Sequence, residues 1–256
     1  MEYFPHGNCS VINRLSMTNG EAFLWYSLKS ETNSPGNAVE TLELLMYFAI
    51  EGVIGVGKTT LARMLRPAFD AELVLEVFEE NPFLSSFYAD RVRYAFQTQI
   101  FFLLSRYHQQ RRNITDRLSI AKALISDYTF EKDALFARAT LQGDELEMYY
   151  TVQEALAEKI TPPDLIVYLR ASTDTLMQRI AMRDRPFERS MERDYIHLLN
   201  ETYDDFFANG SHNTRTLTID TDGLDFVSRP QDFEIILTRI REALAQPPIQ
   251  PHLPID

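Results

Sequence analysis

The sequence contains very little cysteine and fewer basic than acidic residues. Its single cysteine, Cys9, cannot form a disulfide within the chain or build a cysteine-rich zinc site, and this scarcity is typical of a reducing compartment. Lysine and arginine number 25 against 37 acidic residues, a formal net charge of -12, which disfavours binding to nucleic acid or anionic lipid. No apolar run approaches the ~20 residues that span a bilayer. We therefore predict a soluble, cytoplasmic protein.

The first 45 residues differ in character from the rest of the chain. They contain the only tryptophan, a turn-rich run at 33–37 and no sustained periodicity, and they lack the apolar core of a targeting peptide. A short apolar run then begins at Met46. We predict a main domain at 46–246 and a proline-rich tail at 247–256. The extension at 1–45 is predicted to be poorly ordered or to precede the natural start at Met46; folding over the core is the alternative.

Beyond Met46, short apolar segments alternate with long helical patterns. Strand-like runs rich in Val, Ile and Leu occur at 47–50, 73–78, 123–126, 165–169 and 216–219. Helical periodicity covers 91–112, 143–160, 173–183, 189–207 and 231–244. Alternation of this kind predicts an α/β fold in which a parallel, five-stranded sheet has helices on both faces.

A glycine-rich motif follows the first of these strands. Residues 52–59 match the pattern G-x-x-x-x-G-K-[ST] of a P-loop, and a helical pattern follows them. The glycines allow backbone N–H groups to form a nest for phosphate, where Lys58 meets the β and γ phosphates and the Thr59 hydroxyl ligates Mg²⁺. We predict binding of a nucleoside triphosphate by Gly52, Val53, Ile54, Gly55, Val56, Gly57, Lys58, Thr59 and Thr60.

The residues after the second predicted strand resemble a known family. Residues 75–83, Leu-Glu-Val-Phe-Glu-Glu-Asn-Pro-Phe, followed by Tyr88 and a helical pattern through 94–106, are similar to the deoxyribonucleoside kinases, in particular the bacterial deoxyadenosine and deoxyguanosine kinase branch. The resemblance covers about 46–244. It implies a P-loop kinase with an arginine-rich lid that transfers the ATP γ-phosphate to a deoxynucleoside 5′-hydroxyl in nucleotide salvage. It also implies Mg²⁺ as the cofactor and a homodimer packed through helices.

Glu76 lies at the carboxyl end of the second predicted strand, where α/β sheets bind ligands. A carboxylate there can accept the proton of an attacking hydroxyl, and the resemblance makes Glu76 the catalytic base. Val77 stands where the family has proline, which alters local rigidity but keeps the carboxylate. Glu79 and Glu80 are the rival carboxylates, and a solvated acidic turn is the simpler interpretation for both.

Five polar residues are candidates for holding the nucleoside. Tyr88, Gln99 and Arg106 are spaced so that on one helix they would share a face, although a solvated polar stripe has the same pattern. The resemblance assigns Gln99 and Arg106 to the base and Tyr88 to the sugar 3′-hydroxyl. It further matches Asp133 to an acid that pairs with the Arg106 position, and Glu188 to a second 3′-hydroxyl contact. Amide and guanidinium groups suit base recognition because they pair bidentately.

Two further segments are candidates for metal and phosphate contacts. Asp127 ends the third predicted strand, from which a carboxylate can reach Mg²⁺ at a P-loop. The family has arginine at the next position, but this chain has Tyr128, whose role stays open. The resemblance assigns Arg179, Arg183 and Arg185 to the lid, where arginines neutralise charge on the transferring phosphate. The alternative is that these cations only complement a helix C-terminus.

Two other functions share some of these features. A nucleoside monophosphate kinase such as thymidylate kinase also has a P-loop, but its acceptor phosphate would be repelled by the acidic residues at 76, 79 and 80. A non-catalytic, kinase-like structural subunit has no need of an intact Lys58 or Glu76. Asp133 favours bases that carry an exocyclic amine, and the resemblance favours a purine. We predict an ATP-dependent kinase of deoxyadenosine or deoxyguanosine.

Overall fold

The computed structural model describes most of the chain. The described residues are 11–16, 23–32, 38–44, 46–77, 80–118, 121–209 and 214–246. The predicted tail at 247–256 and Glu79 lie outside them. Within the first 45 residues, an antiparallel sheet is formed in strand order by β1 (Val11–Ser16), β2 (Phe23–Thr32) and β3 (Ala38–Leu44). The origin of this segment and the domain boundaries stay predictions.

A parallel sheet organises the rest of the described chain. Its strands are β4 (Met46–Glu51), β5 (Ala71–Val74), β6 (Ala123–Ser126), β7 (Leu165–Arg170) and β8 (Arg215–Asp220). They lie in the order β5-β6-β4-β7-β8, and each neighbouring pair is parallel. The central strand β4 is almost wholly buried, as an apolar strand covered on both faces should be. The predicted five-stranded α/β fold is confirmed.

Eight α-helices are described from residue 46 onward. They are α1 (Lys58–Phe69), α2 (Leu84–Ala89), α3 (Arg91–Leu118), α4 (Lys132–Thr140), α5 (Gly143–Ala157), α6 (Thr173–Arg183), α7 (Arg193–Ala208) and α8 (Pro230–Ala245). A short 3₁₀ helix, Pro186–Glu188, separates α6 from α7. Of the described helices, none has the length and the apolarity that crossing a membrane requires.

The carboxyl ends of the strands lie at one edge of the sheet, because all five strands run in the same direction. Ser126 is the register partner of both Ala49 and Val74, so β4, β5 and β6 end nearly level. The P-loop follows β4, Glu76 follows β5 and Asp127 follows β6. The topology therefore brings three separate predicted site segments to the same edge.

Candidate active site

The P-loop joins β4 to α1 through a backbone that glycine alone adopts readily. Gly52 has a φ of 146°, and a Cβ there would lie 2.4 Å from the carbonyl oxygen of Leu169. Gly57 precedes the first turn of α1 in the left-handed region, with a φ of 107°. A side chain at either position would strain the turn; at Gly52 it would also crowd β7, and at Gly57 the ring of Phe226. The motif thus forms the strand, turn and helix that the sequence predicts.

Lys58 begins α1 and folds back along its own loop. Its Nζ donates hydrogen bonds to the carbonyl oxygens of Gly52 at 2.6 Å and Val53 at 3.2 Å. Burial and the positive charge of Lys132 together lower the pKa of Lys58 to about 8, despite nearby carboxylates. A polyphosphate placed in the loop would give this ammonium group a strong anionic partner.

Asp127 links the P-loop to the segment that carries Glu76. The Thr59 hydroxyl donates a hydrogen bond to Asp127 Oδ2, and the backbone N–H of Glu76 donates to Asp127 Oδ1 at 2.8 Å. Within the described ranges, no group of three or more His, Cys, Asp or Glu side chains is arranged to hold a metal. One hydroxyl and one carboxylate are nevertheless the usual protein share of a Mg²⁺ site that substrate phosphates and water complete.

Four charged side chains form a buried ion-pair cluster, consisting of Glu76, Arg106, Lys132 and Asp133. Arg106 and Lys132 each bind one carboxylate oxygen of Glu76, and Arg106 also pairs with Asp133. The exposed fraction of each side chain is 14% or less. Burial opposes the ionisation of Glu76, but the charges of Arg106 and Lys132 outweigh it and hold the pKa of Glu76 well below its usual range. Glu76 is therefore a carboxylate at neutral pH.

Gln99 lies two turns before Arg106 on the same face of α3, as predicted. Its amide nitrogen donates to Thr140 Oγ1 at 3.3 Å, but its amide oxygen is buried and has no partner in the described part of the chain. The hydroxyls of Thr98 and Tyr195 are likewise buried without a partner there, and both residues line the same cavity. Leaving a buried polar group unpaired costs about 1–3 kcal/mol, so these atoms favour a polar ligand.

Tyr88 lies on α2, whereas Gln99 and Arg106 lie on α3. The backbone of Asp90, with φ of -149° and ψ of 86°, ends α2 and separates the two helices. The shared face was expected only for residues on one helix, so it holds for Gln99 and Arg106 and does not include Tyr88. The side chain still reaches the cavity, where its ring stacks on Phe187 with centroids 6.0 Å apart.

The predicted lid residues divide into two groups. Arg183 binds the carboxylate of Glu188 through Nε at 2.6 Å, Arg185 lies 3.7 Å from the same carboxylate, and all three residues line the cavity. Arg179 does not line it. Its guanidinium instead donates to the Thr221 carbonyl at 2.7 Å and to the Val56 carbonyl at 3.3 Å. Arg179 thus joins the P-loop to the segment after β8, and its predicted phosphate contact stays a prediction.

A single cavity of about 530 Å³ connects these groups. P-loop residues lie in its lining together with the ion-pair cluster, Gln99, Asp127 and the lid residues. Apolar and aromatic side chains in the lining include Leu84, Phe87, Phe102, Phe136 and Phe187. An aromatic lining with a few convergent polar groups is typical of a small-molecule site, and the volume suits a nucleoside.

Two residues of this region have no predicted role. Lys132 belongs to the ion-pair cluster. Glu51 ends β4 fully buried, and its carboxylate accepts hydrogen bonds from the N–H groups of Thr129 at 2.6 Å and Gly52 at 3.1 Å. Burial raises the pKa of Glu51. Glu51 could have been found from the sequence, because it is an acidic residue at the end of an otherwise apolar strand. Lys132 could not, because it lies between two acidic residues, a pattern that is also common on a solvated surface.

Comparison with known proteins agrees with this geometry. The family model for deoxynucleoside kinase matches residues 48–245. The chain is 36% identical over 201 residues to deoxyguanosine kinase of Bacillus subtilis, which covers 77% of this chain and 97% of that protein. It is 32% identical over 217 residues to deoxyguanosine kinase of Lactobacillus acidophilus, with 79% and 92% covered.

A solved structure of deoxyadenosine kinase from M. mycoides with bound dCTP superposes with a TM-score of 0.66 at 25% identity. The match covers 77% of this chain and all of that one. Neither a monophosphate kinase nor a non-catalytic subunit is favoured by these findings. The chain belongs to the deoxynucleoside kinase family, and it is an enzyme that phosphorylates deoxynucleosides with ATP.

Proposed function

We propose that this kinase acts on purine deoxynucleosides, deoxyadenosine or deoxyguanosine, in nucleotide salvage. One observation carries the proposal: the Glu76 carboxylate lines one cavity together with the P-loop residue Lys58 and with Gln99 and Arg106. A nucleoside in this cavity has a proton acceptor between its base and the phosphate donor. The use of ATP is consistent with the predicted cytoplasmic location.

Glu76 is proposed as the base for the 5′-hydroxyl. It is ionised, and Arg106 holds one of its oxygens, so it can orient the hydroxyl and take up its proton as the bond to phosphorus forms. Lys58, with Arg183 and Arg185 of the lid, is proposed to neutralise charge on the transferring phosphoryl group. Arg179 is proposed to act indirectly, since its contacts hold the P-loop against the segment after β8.

Recognition of the base is proposed to depend on Gln99 together with Arg106 and Asp133. The unpartnered amide oxygen of Gln99 accepts a hydrogen bond from a base, and the Arg106–Asp133 pair presents a second polar edge. The purine assignment is supported by the relatives, which include the deoxyguanosine kinases above and a deoxyadenosine kinase of Lactobacillus acidophilus at 28% identity.

Tyr88 and Glu188 are proposed to bind the sugar 3′-hydroxyl. Both line the cavity, and burial raises the pKa of Tyr88, so its hydroxyl stays a donor at neutral pH. The Glu188 carboxylate is buried and held by Arg183. A hydrogen-bond donor (Tyr88) and an acceptor (Glu188) beside the same hydroxyl would favour sugars that carry a 3′-hydroxyl over sugars that lack it.

Thr59 and Asp127 are proposed to hold Mg²⁺ bound to ATP. Their side-chain oxygens meet at the P-loop, and hard oxygen donors fit this ion. When bound, the ion would shield the charge of the β and γ phosphates. Asp127→Asn should raise the Mg²⁺ concentration that gives half-maximal activity, and a variant with unchanged Mg²⁺ dependence would contradict the assignment.

We further propose a homodimer packed through helices. Leu104 on α3 and Met148 on α5 are large apolar side chains with exposed fractions of 41% and 57%, and these two helices pack against each other. Apolar side chains on adjoining helices are suited to burial in a helical interface. Sedimentation equilibrium of the wild type and of Met148→Glu measures this: the substitution should increase the monomer fraction, and a wild-type monomer would refute the dimer.

The decisive experiment is a comparison of the four deoxynucleosides as acceptors. Purified protein is incubated with ATP and Mg²⁺, and the nucleoside monophosphates are separated by chromatography. Deoxyadenosine or deoxyguanosine should give the highest kcat/KM. Higher values for both pyrimidines would refute the purine assignment.

A further inference from the structure

Lys132 is a buried cation that the mechanism above does not use. It is the first residue of α4, its side chain is 7% exposed, and its Nζ binds Oε2 of Glu76. It also lines the cavity together with Lys58 and Thr59. Desolvating an ammonium group is costly, so a lysine buried beside a reacting carboxylate calls for a specific anionic partner.

We propose that Lys132 is a catalytic residue. When ATP binds, its ammonium group gives up the ion pair with Glu76 and binds the γ-phosphate instead. This rests on the proposed function. In the protein without nucleotide, Lys132 and Arg106 hold the two oxygens of Glu76. When ATP is bound, Lys132 turns to the γ-phosphate, and the Oε2 that it leaves becomes available to the 5′-hydroxyl.

The distribution of ion pairs identifies Lys132 as the mobile partner. Arg106 is shared between Glu76 and Asp133, so it keeps an anion if Glu76 is lost. For Lys132, Glu76 is the sole carboxylate within ion-pair distance in the described ranges. The γ-phosphate would supply the replacement, and it carries more negative charge than a carboxylate.

Tyr128, four positions before Lys132, has a structural role. The tyrosine is fully buried, its hydroxyl donates to Gln109 Oε1 at 2.8 Å, and Gln109 Nε2 donates to the Leu75 carbonyl at 2.7 Å. These bonds brace the backbone next to Glu76, but they bring no charge to the cavity. Within residues 127–133, Lys132 is therefore the residue that brings positive charge to the cavity.

Charges around the site are consistent with a phosphate contact. The positive charge of Lys132 contributes to the lowered pKa of Lys58, so the two ammonium groups act on the same region. Two neighbouring cations repel each other until an anion lies between them.

In the transfer step, O5′ bonds to Pγ, the bond from Pγ to the β,γ-bridging oxygen breaks with its electrons leaving on ADP, and the hydroxyl proton passes to Glu76.

The first test compares the binding of ATP and ADP by isothermal titration calorimetry, with Mg²⁺ and without nucleoside. Lys132→Met should weaken ATP binding at least about tenfold more than ADP binding, because only ATP has the γ-phosphate. Lys132→Arg keeps the charge and should keep the preference for ATP. The matched control is Lys159→Met, which removes an exposed lysine and should change neither affinity.

Equal weakening of ATP and ADP binding by Lys132→Met, or no weakening, overturns the proposal. Kinetics provide a second readout: kcat should fall about 10²-fold or more, while KM for the nucleoside changes far less. If Lys132→Met does not fold, as judged by thermal unfolding, Lys132→Gln replaces it in both measurements. A wild-type protein that phosphorylates no deoxynucleoside refutes the proposed function, whereas the ATP and ADP comparison still tests Lys132.

Discussion

Glu76, just after β5, forms an ion pair with Arg106 on α3, and the same arginine pairs with Asp133 on α4. The guanidinium group of Arg106 thus connects the proposed catalytic base, Glu76, to Asp133, the acid proposed to contact the nucleobase. Arg106 and Lys132 hold the pKa of Glu76 well below its usual range in the protein without nucleotide, and Arg106 stays on the carboxylate when Lys132 turns to the γ-phosphate. The main contribution of Glu76 should therefore be to orient the hydroxyl, with proton uptake late in the transfer.

Glu76→Gln should lower kcat by at least about 10²-fold, because it removes the proton acceptor while keeping the shape of the side chain. The affinity for the nucleoside should change far less. Steady-state kinetics with the preferred deoxynucleoside measures both quantities.

Glu79→Gln and Glu80→Gln are the controls for this substitution. Glu80 is exposed, and both variants should keep a near-normal kcat if these residues form a solvated turn. If the kcat of Glu76→Gln stayed within about tenfold of the wild-type value while the kcat of either control fell much further, the catalytic base would have been assigned to the wrong carboxylate.

A shortened chain that begins at Met46 should be as active as the full chain. β4 begins at Met46, and each residue of the proposed site lies beyond it. Gel filtration and kcat/KM of the two chains make the comparison. Aggregation of the shortened chain, or loss of most of its activity, would show that residues 1–45 are structural.

The central sheet and the P-loop were predictable because their determinants are local. Each buried strand is a short run of apolar residues, and the glycines with Lys58 and Thr59 specify the turn by their own backbone requirements. Glu76 and Asp127 could be placed because each follows such a strand. Patterns within one segment therefore located the carboxyl edge of the sheet.

Contacts between distant segments could not be predicted in the same way. Lys132 and Glu76 are 56 positions apart, and the sequence around each residue is compatible with a solvated charge. The helical pattern was predicted from residue 91, where α3 begins, but the sequence does not show that the separate short helix α2 carries Tyr88 to the same cavity. Arg179 has the spacing of a lid arginine, yet packing directs it toward Thr221. In each case, tertiary contacts decide between two uses of one residue.

Glu51→Gln should destabilise the protein. The Glu51 carboxylate accepts hydrogen bonds from four donors, two on Thr129 and one each on Gly52 and Tyr203, and an amide places its own N–H groups against one pair of them. Such a mismatch costs about 1–3 kcal/mol, which corresponds to a fall in Tm of about 2–12 °C for a chain of this size. Thermal unfolding, monitored by circular dichroism, measures this change in Tm.

Glu72→Gln is the matched control, because Glu72 is 39% exposed and pairs at the surface with Arg117 at 3.0 Å. Exposed ion pairs contribute about 0–1 kcal/mol, so the Tm should hardly move. An unchanged Tm for Glu51→Gln would instead mean that burial keeps Glu51 protonated, in which case an amide replaces it without loss.

ATP binding should be accompanied by proton uptake near pH 8.5. The pKa of Lys58 is lowered to about 8, so roughly half or more of this group is neutral at that pH in the protein without nucleotide. The phosphates favour the charged form and raise the pKa of Lys58 on binding, so a proton is taken up and ATP affinity falls as the pH rises above about 8. At about pH 6.5 the lysine is already protonated, and it contributes no uptake.

Isothermal titration calorimetry in two buffers with different ionisation enthalpies counts these protons. The wild type should take up a large fraction of one proton at about pH 8.5, whereas Lys58→Ala should take up far less and bind ATP more weakly. Lys159→Met should match the wild type, since its side chain is exposed. If the wild type takes up no proton, or if Lys58→Ala takes up as much, the titrating group is not Lys58. Because the wild-type uptake reflects repulsion from Lys132 as well as burial, Lys132→Met should reduce it by raising the pKa of Lys58 in the free protein.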